Sequence, residues 1–168
     1  MTLSMYSTSA PAFERALTSL DAILDKTATW AEERKIDPAV LTSARLAPDM
    51  HPLNRQVHLL SDTAKGACAR LAGLPVPSFP DTETTLPELK SRIGKTLDFI
   101  RSVKADQIDG SEDRQIVLKA GARELVFKGQ DYLVGFALPN FYFHVTVAYA
   151  ILRHNGAPLG KLDYLGGV

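Results

Sequence analysis

Cysteine is almost missing from this chain: Cys68 is the only one in 168 residues. No intrachain disulfide can form and no multi-cysteine zinc cage is available. Cys68 sits in the run GACARL, on the flank of an apolar stripe. There a free cysteine reads as a small buried hydrophobe rather than a reactive thiol. An excess of one charge is also lacking, since 19 Lys plus Arg balance 19 Asp plus Glu. With no basic run either, the pattern of a nucleic-acid or anionic-membrane partner is missing. No stretch reaches the roughly 20 apolar residues of a membrane span. The opening MTLSMYSTSAPAFERA has no early basic residue and no long apolar core, so it does not read as a signal peptide. The expected location is the cytoplasm. HExxH, GxGxxG, P-loop and GxSxG patterns are absent, which removes the most specific signals for zincin, dinucleotide, nucleotide and serine-hydrolase chemistry. The paired carboxylates Glu32–Glu33 and Glu112–Asp113 lie on polar stretches and read as solvated.

What is present is helical periodicity. The length suits one domain, residues 1–168, able to bury about 70% of the surface of its unfolded chain. The first amphipathic segment follows the capping residues Ser7, Thr8 and Ser9 and carries Pro11 in its first turn. Its apolar positions Phe13, Leu17, Leu20, Leu24 and Ala31 form one stripe on a helix running to about Arg34. Asp37–Pro38 begins a short turn or helix through Leu41. The second helix follows the PDMHP turn, carries Leu53, Val57, Leu60, Ala64, Ala67 and Leu71 at alternating steps of four and three, and stops at Gly73. A proline-rich crossover, Leu74 to Asp81, leads to a third helix that starts near Thr84 or Thr85. This helix turns Leu86, Leu89, Ile93, Leu97 and Ile100 inward and ends before Asp106. The period then changes: Gln115–Leu118 and Glu124–Phe127 flank a turn containing Gly121 and read as a β-hairpin that must pack on the bundle. Asp131 to Leu138 is apolar but too irregular to assign. The fourth helix runs from Pro139 to about His154, and the tail APLGKLDYLGGV reads as irregular chain packed down by its leucines and Tyr164.

Four histidines carry the candidate chemistry. On the last helix Phe141, Val147, Ala148 and Ile151 lie within about 60° of His144, so this imidazole points into the middle of an apolar face. It reads as a core residue bonded to a neighbouring amide or carboxylate, as a general base with a lowered pKa, or as a metal ligand. Asn140, one turn before it, is a polar companion, and Asp131 or Tyr132 could reach the same end. His154 lies about 15 Å further along the axis and suits contact with the helix C-terminus. His51 precedes Pro52 and reads as a cap or turn residue. His58 sits about 140° from the middle of its helix's apolar stripe, on the solvated side, four residues before Asp62. The clustered Phe141, Tyr142 and Phe143 read as core and interface.

The four helices, the long crossover and PDMHPLNRQV opening the second helix resemble the DinB/YfiT-like superfamily. PNFYFHVTVAYAILRHNGAPLGKLDYLGG is similar to the C-terminal signature of an uncharacterised branch, a domain of unknown function, and the likeness covers nearly the whole chain. The resemblance implies a mainly α fold: a DinB-like four-helix bundle, a long crossover between helices 2 and 3, and a short β-hairpin before helix 4. It also implies a homodimer, and in many members a divalent metal on three histidines, one from helix two and two from an HxxxH pair on the last helix. His144 matches the first of that pair, position 148 is Ala148, and the helix-two ligand falls on the outward His58. A metal would then need a substitute carboxylate, Asp62 or Asp131. The expectation is no bound cofactor; if a divalent metal is present, its ligand set is His144 with His58 and Asp62.

Three functional readings follow. One is a metal-independent small-molecule-binding protein or enzyme with a pocket near His144. The second is a divalent-metal-dependent hydrolase or thiol-dependent transferase of DinB type. The third is a non-catalytic structural or stress-related dimer in which His144 completes the core.

Overall fold

Four long helices carry the apolar stripes just described: α2 (Ala10–Glu33), α4 (Leu53–Ala72), α5 (Leu86–Ser102) and α8 (Leu138–His154). The computed structural model describes residues 3–120 and 123–167. Around the bundle α2 neighbours α5, α5 neighbours α4, α4 neighbours α8, and α8 closes back on α2. Each inward position expected on the first three stripes is buried, and these side chains join one connected apolar core. Short elements fill the joints: α1 (Met5–Thr8), α3 (Pro38–Ser43), α6 (Ala105–Ile108), α7 (Gly129–Tyr132) and α9 (Lys161–Leu165). The result is a mainly helical fold with a short antiparallel hairpin before the last long helix.

Local chemistry sets most boundaries. Thr85 caps α5, with Glu88 reaching back to complete a capping box. Asp37 caps α3 by accepting from the Ala39 amide at 2.9 Å. Gly73 ends α4 in the left-handed region at φ +70°, while the Leu74 amide reaches back to the Ala69 carbonyl. At the N-terminus the capping differs from expectation. Ser4 caps α1, and Ser9 turns its hydroxyl back to the Met5 carbonyl at 2.6 Å instead of capping α2.

Strands β1 (Gln115–Ala120) and β2 (Arg123–Lys128) pair with Ile116 opposite Phe127 and Leu118 opposite Leu125. The Gly121 turn lies outside the described residues. Ile116 and Phe127 anchor the hairpin's inner face; the Phe127 ring meets Tyr132 and Phe136 at 6.1 and 5.7 Å.

The segment left unassigned between Asp131 and Leu138 is helical, and the helix does not begin at Pro139. A continuous run starts at Gly129 and passes through one π-helical stretch, Leu133–Ala137, before becoming α8. Pro139 explains the widening. It has no N–H, and in a regular α-helix its ring would strike the carbonyl of Gly135. The chain adds a residue to the turn, and the Leu138 amide bonds five residues back to Leu133. Contrary to the expectation that no stretch is long enough for a membrane span, this 26-residue run is long and apolar enough by length and composition alone, a property that buried core helices share. Here its inward face packs on α4 and α2. The tail also gains structure. Lys26 binds Asp163 at 3.1 Å and the Thr146 and Tyr164 hydroxyls meet at 3.0 Å, strapping α9 to α2 and α8. Leu159 is buried, but Leu162 and Leu165 are exposed rather than packed down.

Candidate functional site

His144 lies where α8 crosses the first turn of α4. Gln56 meets His144 while Thr63, two turns later, meets Asn140, so the two helices run antiparallel. The imidazole is 9% exposed and its Nδ1 is 2.7 Å from Gln56 Oε1. Gln56 is itself buried, and its Nε2 donates to the His51 carbonyl at 2.9 Å. That second bond fixes which way the amide faces. With Oε1 toward the ring, Nδ1 must carry the proton and Nε2 the lone pair. Nε2 makes no hydrogen bond among the described residues and keeps contact with solvent. Burial, then the nearby His51 and Arg55, push the His144 pKa below the usual histidine range, so the ring is neutral at pH 7. The half-exposed Phe143 ring stands edge-on at 5.3 Å.

The expected companions do not converge on this ring. Asn140 donates from Nδ2 to Thr63 Oγ1 at 2.9 Å, and the buried Tyr132 hydroxyl accepts from Arg70 Nη1 at 3.3 Å. Burial raises the Tyr132 pKa above its ordinary value. Both side chains line a cavity of about 240 Å³ beneath the hairpin, together with Arg70, Phe136, Leu118 and Leu125. His144 and Asp131 take no part in its walls, and Asp131 stands exposed in α7. Two other hollows, about 650 and 290 Å³, lie between α2 and the C-terminal strap; neither reaches His144.

The solvated reading of His58 is overturned: its side chain is 5% exposed. The crossover between α4 and α5 folds over this polar face of α4 and buries His58. Arg92 of α5, fully buried, binds Asp62 and Asp81 at 2.9 Å, Glu83 at 3.1 Å and the Pro80 carbonyl at 3.0 Å. Lys65 also holds Asp62 at 2.8 Å, Arg55 pairs with Asp81, and Phe79 covers the ammonium of Lys65 at 5.0 Å. His58 Nε2 lies 3.1 Å from Glu83 but off a hydrogen-bonding axis, so neither ring nitrogen has a directed partner. Burial and then Arg92 lower its pKa, outweighing the pull of Asp81 and Glu83. The expected surface pair of His58 with Asp62 is therefore replaced by a charge network in which His58 and Arg92 are buried and Asp62 and Asp81 are partly exposed.

This arrangement separates the three-ligand set of His144, His58 and Asp62. Gln56 and His58, two residues apart, project about 160° from one another around α4. Gln56 meets α8, whereas His58 and Asp62 meet Arg92 and the crossover. Ala148 offers no donor, and among the described residues no three His, Cys, Asp or Glu side chains are grouped to hold a metal ion. The residues do not fit the three-histidine centre that the resemblance implies. His51 and His154 are both exposed. Cys68 is buried, and burial pushes its thiol up to about 12, so it is inert. Gln56, Arg70 and Arg92 escape a sequence reading, because each is a polar residue beside rather than within an apolar stripe.

Comparison with known proteins places this geometry. The family model described as "Domain of unknown function (DUF1993)" matches residues 5–165. A crystal structure of a DinB family member protein from Shewanella denitrificans is 39% identical, superposes with a TM-score of 0.87, and covers 97% of this chain and 92% of that one. No curated protein matches the chain. Spanning nearly its whole length, these likenesses identify the chain as a member of the DUF1993 family with the DinB-like fold.

Proposed function

We propose that this protein is a metal-independent small-molecule-binding protein or enzyme whose working group is His144. The observation that carries the reading is the imidazole itself, held through Nδ1 by a buried amide and left with a solvent-reaching lone pair on Nε2. Such a nitrogen accepts a hydrogen bond from a ligand hydroxyl or acid, or takes its proton. Burial, then the nearby His51 and Arg55, disfavours the imidazolium form, so acceptance in binding is favoured over strong base catalysis. A carboxylate in place of Gln56 would have favoured the reverse. The protein is further proposed to act as a homodimer; the exposed Tyr142 and Leu165, which flank one hollow beside α2, support a covered face there.

The test is a thermal-shift screen of the tag-free protein against small hydroxy and carboxylic compounds, repeated on His144→Gln. Supporting hits stabilise the natural chain and lose their effect in a variant that melts within a few degrees of it. Parallel titration with zinc, nickel and manganese decides the metal question. A metal held more tightly than about micromolar, or about −8 kcal/mol, and lost in His144→Gln would overturn the metal-independent reading. Sedimentation of the same samples decides the dimer.

A further inference from the structure

We infer that the cavity beneath the β-hairpin is a binding site for a small carboxylate with an apolar body, separate from His144. Its cationic wall is Arg70. The guanidinium reaches Tyr132 Oη at 3.3 Å and has no carboxylate at ion-pair distance among the described residues. The acid that shares the cavity, Asp62, has its Oδ1 occupied by Lys65 and Arg92. Arg70 is half-buried, and a half-buried guanidinium without a counter-ion favours an anion that would supply one. Gly66, one turn earlier, leaves empty the place where a Cβ would lie 2.4 Å from Arg70 Nη1, so that end of the guanidinium comes close to the α4 backbone. Lys119 of the hairpin adds a second cation to the rim.

The rest of the lining fits an apolar body. Tyr132 and Phe136 stack at 6.1 Å and 21° on the floor, set there by the π-helical stretch that Pro139 imposes. Leu118 and Leu125, paired across the hairpin, form the roof, and Leu125 is 38% exposed there with its apolar side chain incompletely covered. Asn140 spends its Nδ2 on Thr63, which leaves Oδ1 to accept from a ligand donor. The cavity, about 240 Å³, lies below the roughly 300–1,000 Å³ of drug-sized sites, so the ligand is of fragment size. The carboxylate meets the Arg70 fork beside the Tyr132 hydroxyl, and the hydrocarbon lies between Phe136 and the hairpin leucines.

Phenylacetate and its neutral analogue 2-phenylethanol, titrated into the full chain and followed by ¹H–¹⁵N NMR, test the assignment. Phenylacetate is expected to shift amides around Arg70, Leu125 and Phe136 and to bind at least about tenfold more tightly than the alcohol, the scale of one charge-assisted hydrogen bond. Arg70→Met is expected to weaken the acid about tenfold and leave the alcohol unchanged. His144→Gln should change neither, which keeps this site distinct from the proposed His144 function. Equal affinity for acid and alcohol, shifts centred on His51 and His144, or natural affinity in Arg70→Met would each overturn the inference. Should Arg70→Met fail to fold, the acid–alcohol comparison on the natural chain decides alone.

Discussion

Replacing Arg92 by methionine tests whether the charge network around it holds the crossover onto the bundle. The guanidinium is fully buried and serves three carboxylates and one carbonyl. Two of those acceptors lose little, since Asp62 and Asp81 are 42% and 35% exposed and keep Lys65 and Arg55 as partners. Glu83 is different: at 14% exposure it would lose its guanidinium partner and keep only the buried His58 imidazole, 3.1 Å away, beside it. Removing one partner of a buried ion pair costs about 3–5 kcal/mol, and solvent screening at the two exposed acceptors argues for the lower end. The expected loss is therefore about 3 kcal/mol, or about 6–12 °C in Tm for a chain of this length. Urea unfolding followed by far-UV circular dichroism measures it. A second substitution isolates the cause. Glu83→Gln should destabilise the natural chain, yet recover about 1–2 kcal/mol in the Arg92→Met background, because it removes the orphaned charge. A loss below about 1 kcal/mol for Arg92→Met, or strict additivity in the double variant, would refute the reasoning.

Two further outcomes follow from the same geometry. Burial, then Arg92, holds the His58 pKa below its ordinary value of about 6.5, so on acidification the unfolded chain takes up the proton first. Stability should be full above that value and fall as the pH drops toward the lowered folded pKa. His144 contributes in the same sense. The urea midpoint recorded at falling pH should decline, with a shallower slope in His58→Gln; a midpoint that rises on acidification would contradict the burial argument. Gly129 sits where a Cβ would lie 2.0 Å from the backbone oxygen of Ser111, whereas a Cβ at Gly135 meets nothing within 4 Å. Gly129→Ala should cost about 1–3 kcal/mol by overpacking, and Gly135→Ala should be neutral or stabilise by roughly 0.5 kcal/mol; equal melting shifts for the pair would dismiss the contact.

Helical periodicity is enough to specify the bundle. Phe13 to Ala31, Leu53 to Leu71 and Leu86 to Ile100 are buried where their spacing puts them, because a helix has one period and must turn its apolar stripe toward its neighbours. Thr85, Gly73 and Asp37 mark helix ends through bonds made within a few residues, so they too are legible. Periodicity also turned His144 inward. What it could not supply was the partner, since Gln56 lies 88 positions away and is polar. Nor could it show that Asn140 and Tyr132 belong to the hairpin cavity, a grouping made when two strands fold across α4. The largest departure, His58, has one physical reason. A helical stripe reports the face presented to other helices and is silent about a crossover that has no period of its own. Residues 79–83 bury a polar face by bringing charges that match it, and Arg92 binds them from the next helix. Complementary charge across such a distance leaves no local pattern to read and emerges when the crossover packs on α4 and α5.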